Sequence, residues 1–479
     1  MSGRTRASSS ASYPRSHDSS RTTSRNFFGS VRSSRRIASL CRTAGCRETW
    51  RVGEVGNGTS ARRSEQAGSG GIVAPAFGRL RRILDQHPDR RRPAHLVTAP
   101  ATPRRRAAAT APRRSAPRSR IVPPVLVRQI RNGIEESVHR GDIVEVDARG
   151  RVIRALGDPD RLVTLRSCVK PFGVATLIEA GGIEAFDLQP VELAIMASSH
   201  SGEDLHVRTL QGIFRRANVS QAYLACGAEG MPLDQLTAAR LARDGEKPGP
   251  IRHMCSGQHS VSILLSRLKN WDPTDYWREE HPSQVAYRAV VARAFGTVPE
   301  RLRTAIDGCG VLTYAFPLRE VARAYALLAD PDAPPSSDPR RSLAPSLRIV
   351  RDAMLAFPEM VGGTRERLDT ALMKALPGRI ISKGGMEALR GLGILAGPRG
   401  SGAEVGPSGM ALKIEDGDGY ERGTWSASIE ALRQAGVVGQ RVLESLDAYH
   451  RPITPDPHGR PAAQAIPDFE LAPVGELIP

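Results

Sequence analysis

Lysine is scarce in this sequence: 6 Lys stand against 62 Arg in 479 residues. Aromatic residues make up only 5% of the chain, and there are six cysteines. No stretch approaches the ~18 consecutive apolar residues of a membrane span, so a membrane-spanning helix is excluded. Six scattered Cys make no disulfide framework and point to a reducing, cytoplasmic compartment. Acidic residues are scarce in one region only. Residues 1–120 hold 26 Arg, no Lys and six acidic side chains, a net charge of +20. The whole chain carries +18, so residues 121–479 carry −2. The basicity belongs to the first quarter, and the pI of the whole chain does not make it a nucleic-acid binder.

Residues 1–120 are rich in Arg, Ser, Ala, Thr, Pro and Gly and show no sustained apolar period. Such a segment buries too little apolar surface to offset the entropy of ordering it, so it is expected to be disordered. Arg35-Arg36 precedes an apolar stretch, Ile37–Cys41, too short for an export-signal core. An organelle transit peptide has a similar composition. The preponderance of Arg over Lys better suits a GC-rich bacterial coding sequence, and the preferred reading is a start site set too far upstream, with translation beginning near Ile121–Val127. A nucleic-acid-binding tail is the weaker reading, because Tyr13, Phe27, Phe28, Trp50 and Phe77 form no stacking repeat.

The folded body begins near Val125. Asp142–Val146 and Arg151–Arg154 flank a Gly-containing turn and read as a β-hairpin. Helical periodicity follows at Phe172–Ala180, Pro190–Ala197, Glu203–Ala217, Leu233–Leu241 and Val261–Leu268. It recurs at Gln284–Phe295, Leu318–Leu328, Arg340–Ala356 and Arg365–Ala375. Strands are expected at Val311–Ala315, Gly378–Ile381 and Ala411–Glu415. The division is thus a disordered segment at 1–120, one mixed α/β domain at 121–450 and a Pro-rich, loosely packed tail at 451–479.

Five short motifs carry chemistry. Ser167-Cys168-Val169-Lys170 sits where an extended segment gives way to a helix. One helical turn sets a Lys amine beside a Ser hydroxyl, the amine serves as base, and backbone amides at the helix start stabilise an oxyanion. The spacing is weak alone, since Ser266-Arg267-Leu268-Lys269 repeats it in what reads as a solvated helix end. Ser198-Ser199-His200-Ser201-Gly202-Glu203 is either a helix cap, Ser201 ahead of Asp204, or the lining of a polar pocket. His253-Met254-Cys255-Ser256-Gly257-Gln258-His259 and Asp307-Gly308-Cys309-Gly310 supply two thiols that are either zinc ligands or small buried apolar residues. Ser382-Lys383-Gly384-Gly385 ends an apolar strand and resembles the site lysine of serine penicillin-recognising enzymes.

Together, and in this order, the five motifs resemble the rhizobial-type (class 3) L-asparaginases of the asparaginase II family, over most of residues 125–450. The resemblance implies the fold of serine β-lactamases and glutaminases, an α+β arrangement with an antiparallel sheet, flanking helices and an all-helical region. It implies two Ser–Lys pairs facing one pocket, Ser167 with Lys170 and Ser199 with Lys383. It also implies a zinc site with two Cys and a Lys. Here Cys255 and Cys309 are kept, but Gln258 stands where that Lys falls, so zinc is expected to bind weakly, to take His259 or water instead, or to be absent. Asp307 then either accepts a bond from a ligand residue or contacts the substrate, His200 belongs to the substrate pocket, and Arg166 is the expected partner of the substrate α-carboxylate.

The function expected is hydrolysis of the side-chain amide of L-asparagine to L-aspartate and ammonia by a cytoplasmic homodimer that uses neither membrane nor nucleic acid. A glutaminase or another Ser–Lys hydrolase of β-lactamase-like chemistry is the alternative, because one methylene is worth only ~1–3 kcal/mol in discrimination. A catalytically silent metal- or nucleic-acid-binding protein is the non-enzyme alternative. A chain beginning at Ile121 is expected to fold and to match the full chain in activity. Loss of solubility or turnover in that truncation would give residues 1–120 a structural role.

Overall fold

A computed structural model describes residues 122–227, 232–400, 402–419 and 421–474, all within the unit Thr110–Pro479. The expectations for residues 1–120 lie outside the described residues. Asn132-Gly133 opens the fold: their φ values of 47° and 82° are the two left-handed conformations a tight hairpin turn needs. The turn joins β1 (Val125–Arg131) to β2 (Ile134–Asp147). Along one edge β2 pairs first with β1 and then with β3 (Val152–Leu156), the hairpin expected around Gly150. Three short strands follow, β4 (Leu162–Thr164), β5 (Arg303–Ile306) and β6 (Leu312–Pro317), forming a separate sheet with β6 in the middle.

The large sheet is completed by β7 (Ile380–Gly385), β8 (Leu389–Ile394) and β11 (Ser408–Ile414), with a small hairpin of β9 (Gly397–Arg399) and β10 (Ala403–Val405) between the last two. Two further strands, β12 (Ile453–Pro455) and β13 (Pro461–Pro467), bring its order to β12-β13-β1-β2-β11-β8-β7, antiparallel throughout. Residues 451–479 are therefore more than a loose tail in their described part. β13 pairs along β1, with Ala463 and Ala465 buried, and its prolines sit at the strand ends, where a missing N–H costs least.

One face of the sheet is made of small residues. Gly409 pairs with Gly393 and Ala411 with Gly391, and alternation puts all four side-chain positions on one side. The helix Leu318–Ala329 lies there, against β2, β8 and β11. A methyl at Gly409 would fall on Ala322 O, and one at Gly391 on the ring of Tyr325. Tyr325 in turn donates from its hydroxyl to Cys168 O at 2.9 Å. The helix Arg422–Gln434 packs on β1, β11 and β13.

The helical region is centred on the helix Lys170–Glu179, buried along most of its length and packed by the helices Ser256–Lys269, Pro282–Ala294 and Ala344–Ala356. The sheet, its flanking helices and this region agree with the architecture the resemblance implies. Ser266 is not a solvated helix end: it is buried and donates to Ser262 O at 2.8 Å, while Lys269 is exposed. The helix expected from Arg365 starts at Leu368, because Glu366 takes a left-handed φ of 52° and Arg367 is extended. Among the described residues no helix is long and apolar enough to cross a membrane. Removal of residues 451–479 strips β12 and β13 from the sheet and bares the β1 edge. The truncated chain is expected to melt at least ~5 °C lower or to aggregate. An unchanged melting temperature would make the segment peripheral.

Candidate active site

Ser167 lies on a 3₁₀ turn, Arg166–Val169, that runs directly into the helix Lys170–Glu179. Arg166 has a φ of 46°, a left-handed conformation costing a non-glycine residue ~1–2 kcal/mol. The turn is held there by backbone bonds, Arg166 N–H to Thr313 Oγ1 at 2.9 Å and Leu165 N–H to Tyr314 O at 2.8 Å. β7 passes close by because residue 385 has no side chain: a Cβ there would sit 2.9 Å from Leu165 O and 3.2 Å from Cys168 Sγ.

Lys170 is one turn beyond Ser167, as the spacing requires, but its amine is directed elsewhere. Nζ donates to Ser198 O at 2.9 Å, to Ser199 Oγ at 3.1 Å and to Cys255 Sγ at 3.3 Å. No hydrogen bond joins it to Ser167 among the described residues. Lys383, on β7 opposite Gly391, donates to the same Ser199 Oγ at 2.9 Å and to Gly384 O at 2.6 Å. Both buried lysines thus converge on one hydroxyl. Burial pushes the Lys383 amine down to about 8, against the opposing charge of Asp369.

The loop carrying Ser199 is tied at both backbone atoms. Ser199 N–H donates to Val361 O at 3.0 Å, and Ser199 O accepts from Arg367 Nη2 at 2.8 Å. The helix that follows, Asp204–Arg216, is capped by Glu203 and not by Ser201. Glu203 is extended, with φ −64° and ψ 163°, and its N–H donates to His206 Nδ1 at 3.1 Å. Ser201 instead donates to Glu203 Oε1 at 2.6 Å. His200 is fully buried. Its Nδ1 accepts from Gly202 N–H at 3.1 Å, its Nε2 meets Ser256 Oγ at 2.8 Å, and its ring stacks on His206. Burial holds it well below the usual imidazole range, so it is a neutral loop support and not part of the cleft lining.

Ser167 and Ser199 line one cleft of ≈ 700 Å³ together with Asp234, Arg365, Arg367 and Arg390. Arg166 and Asp307 are brought together, but with each other: Nε donates to Oδ1 at 2.6 Å. Sequence reasoning missed Asp369. Its carboxylate accepts from Ser382 Oγ at 2.7 Å and Gly384 N–H at 3.0 Å, on either side of Lys383, and pairs with Arg390. These partners lie 13 to 21 residues apart, so no local pattern announces them.

The sequence profile of the family described as L-asparaginase II matches residues 127–466. Among solved structures, the chain is similar to Mglu in its native form in the presence of 4.3 M NaCl, at 15% identity over 63% of this chain and 63% of that one, with a TM-score of 0.28. It is also similar to Mglu in its L-glutamate binding form, at 16% identity over 67% of this chain and 66% of that one, again with a TM-score of 0.28. The chain thus spans less than two thirds of the length of the first of these. No curated protein matches it.

An expected zinc would draw first on the two thiols. The neighbouring Cys309 and the Lys170 charge hold the Cys255 thiol well below its ordinary range, while Cys309 is pushed up. The donors end there. Gln258 turns its amide to Tyr287 OH at 3.2 Å, and Lys170 Nζ already bonds Cys255 Sγ. No group of three His, Cys, Asp or Glu able to hold a metal exists among the described residues. The residues present do not fit a zinc site of three strong ligands. Elemental analysis of the purified protein is expected to find well under one zinc per chain, with a gain in zinc affinity in Gln258→Lys. A full equivalent that resists chelator would show that another group completes the site.

Proposed function

The chain belongs to the L-asparaginase II family, and on that premise we propose that it hydrolyses the side-chain amide of L-asparagine to L-aspartate and ammonia. The observation that carries this reading is the Ser199 hydroxyl, bonded by Lys170 at 3.1 Å and Lys383 at 2.9 Å on the same cleft as the Ser167 hydroxyl, which has no hydrogen bond among the described residues. Ser167 Oγ attacks the amide carbon. Its proton passes to Lys170, the amine one helical turn away. Backbone amides at the 3₁₀ turn stabilise the oxyanion. Ser199 Oγ accepts from both lysines, so its own O–H is free to donate to the leaving nitrogen, and the proton it gives is replaced from a lysine. Collapse of the tetrahedral intermediate breaks the C–N bond and releases ammonia, leaving an ester on Ser167. Water then attacks the ester, giving its proton to the Ser199–Lys383 pair; the acyl C–Oγ bond breaks, the proton returns to Ser167 Oγ, and aspartate leaves.

This scheme needs one neutral amine in the Lys170–Ser199–Lys383 relay near neutral pH, and Lys383, at about 8, supplies it; a proton passed from Lys170 through Ser199 Oγ to Lys383 frees Lys170 to act as the base. The same shift has a sign in stability. The folded value lies below the ordinary 10.5, so between about 8 and 10.5 the unfolded chain binds more protons. Burial of the charged amine therefore costs its full amount below about 8, and the cost is relieved as pH rises through that window.

Ammonia release from L-asparagine, L-glutamine and a β-lactam measured side by side tests the substrate. Ser167→Ala, Lys170→Ala and Ser199→Ala are each expected to lose at least ~10³-fold in kcat/KM without additivity, because the groups act as one unit. Wild-type activity should climb with pH around a midpoint near about 8, and Lys383→Ala should lose that limb. Folded Ser167→Ala retaining a tenth of wild-type turnover would overturn the assignment of the nucleophile.

A further inference from the structure

We propose that Arg367 is the anchor for the α-carboxylate of the amino-acid substrate. The proposal deepens the asparaginase reading and rests on it for the ligand class, an α-amino acid carrying a side-chain amide. It replaces Arg166 in the role the sequence pattern gave to that residue.

The arginines around the cleft are nearly all engaged by carboxylates. Arg365 forks onto Asp234 at 2.7 and 2.8 Å and reaches Glu203 at 3.2 Å. Arg390 is held by Asp369, and Arg166 by Asp307. Arg367 differs. It lines the cleft half-buried, and its single side-chain bond is the neutral one to Ser199 O at 2.8 Å. No carboxylate meets its guanidinium among the described residues. A guanidinium keeps its charge at any physiological pH and offers five N–H donors in a planar fork, so one bond to a carbonyl leaves most of that capacity unused.

Its placement comes from the backbone. Glu366, at φ 52°, breaks the chain before the helix Leu368–Ala375, and extended Arg367 is thereby directed toward the Ser199 loop. The substrate sets the span the anchor has to bridge. In asparagine the α-carboxylate carbon lies about 4 Å from the amide carbon, three C–C bonds of about 1.5 Å along an extended skeleton. Arg367 bonds the carbonyl of Ser199, the residue whose hydroxyl faces the amide in the proposed reaction. Lys170, Lys383 and Arg367 each bond Ser199, whereas the nearby Asp369 is consumed by Arg390, Ser382 and Gly384 N–H. A substrate carboxylate in bidentate contact with Arg367 satisfies its free donors.

The test compares ligands that differ only by the α-carboxylate. β-Alaninamide is asparagine without it, and β-alanine is aspartate without it. In Arg367→Ala the ratio of kcat/KM for L-asparagine to that for β-alaninamide should collapse by about 100-fold, the size expected when a charged hydrogen-bonded partner is removed. Arg367→Lys should recover only part of it, since an ammonium lacks the fork. Calorimetry should show L-aspartate binding weakened in the same proportion, with β-alanine binding unaltered. An equal loss on asparagine and β-alaninamide would overturn the proposal and leave Arg367 as a support for the Ser199 loop, as would an unchanged ratio. The binding arm separates the two readings. If the wild type released no ammonia from asparagine, the activity would be refuted, while Arg367 would still stand or fall on aspartate binding. A wild type that bound no L-aspartate would overturn it.

Discussion

Two primary amines withdrawn from water and directed at one serine hydroxyl make a costly arrangement, since a buried ammonium must recover in local bonds what it loses in hydration. Much of the architecture around Ser199 supplies those bonds. Lys170 has three acceptors within 3.3 Å, two of them oxygens from consecutive residues of one loop and the third a sulfur. Lys383 has two, and the Asp369 charge behind its strand. The loop is fixed by Val361 and Arg367, and Asp369 by Arg390. A change at any of these reaches the hydroxyl through a short chain of bonds. The same arrangement explains why the amine on β7 sits near neutrality while the arginines stay charged.

That contrast gives the lysine shortage a meaning. Scaffold pairs such as Arg399–Glu145, Arg390–Asp369 and Arg240–Asp204 use guanidinium, which does not lose its proton at any working pH and holds carboxylates in a planar fork. Of six lysines in the chain, two stand at the site. The titratable cation is placed where a proton has to move, and the fixed one where geometry has to stay. The near-neutral charge of residues 121–479 is thus a balance of engaged pairs, not a sparsity of charge.

The parts of the fold legible in sequence were those with local periodicity: the β2–β3 hairpin, the helices Pro190–Met196 and Leu318–Ala329, and the strand that delivers Lys383. Other parts were hidden by composition. β8 alternates leucine and isoleucine with glycine, which reads as a loop until a helix is seen resting on the glycines. Asn132-Gly133 did carry a hairpin signal, but Arg128, Arg131, Glu135 and Glu136 around it mask the apolar alternation of β1 and β2. Ser167, Lys170, Ser199 and Lys383 stood out in the sequence because their motifs are short. Their mutual connections were not, since Lys170 reaches Ser199 across 29 residues and Lys383 reaches it across 184. Arg367 was read as part of a helix, and only the left-handed Glu366 takes it out of one.

The glycine face beneath the helix Leu318–Ala329 works as a ruler. Gly391 is the register partner of Lys383, and the ring of Tyr325 rests where its side chain would be. The hydroxyl at the far end of that ring holds Cys168 O, in the turn that presents Ser167. One rigid aromatic ring therefore spans from β8, the strand paired with that of Lys383, to the turn that carries Ser167. The separation between that turn and the sheet is referenced to the length of a tyrosine.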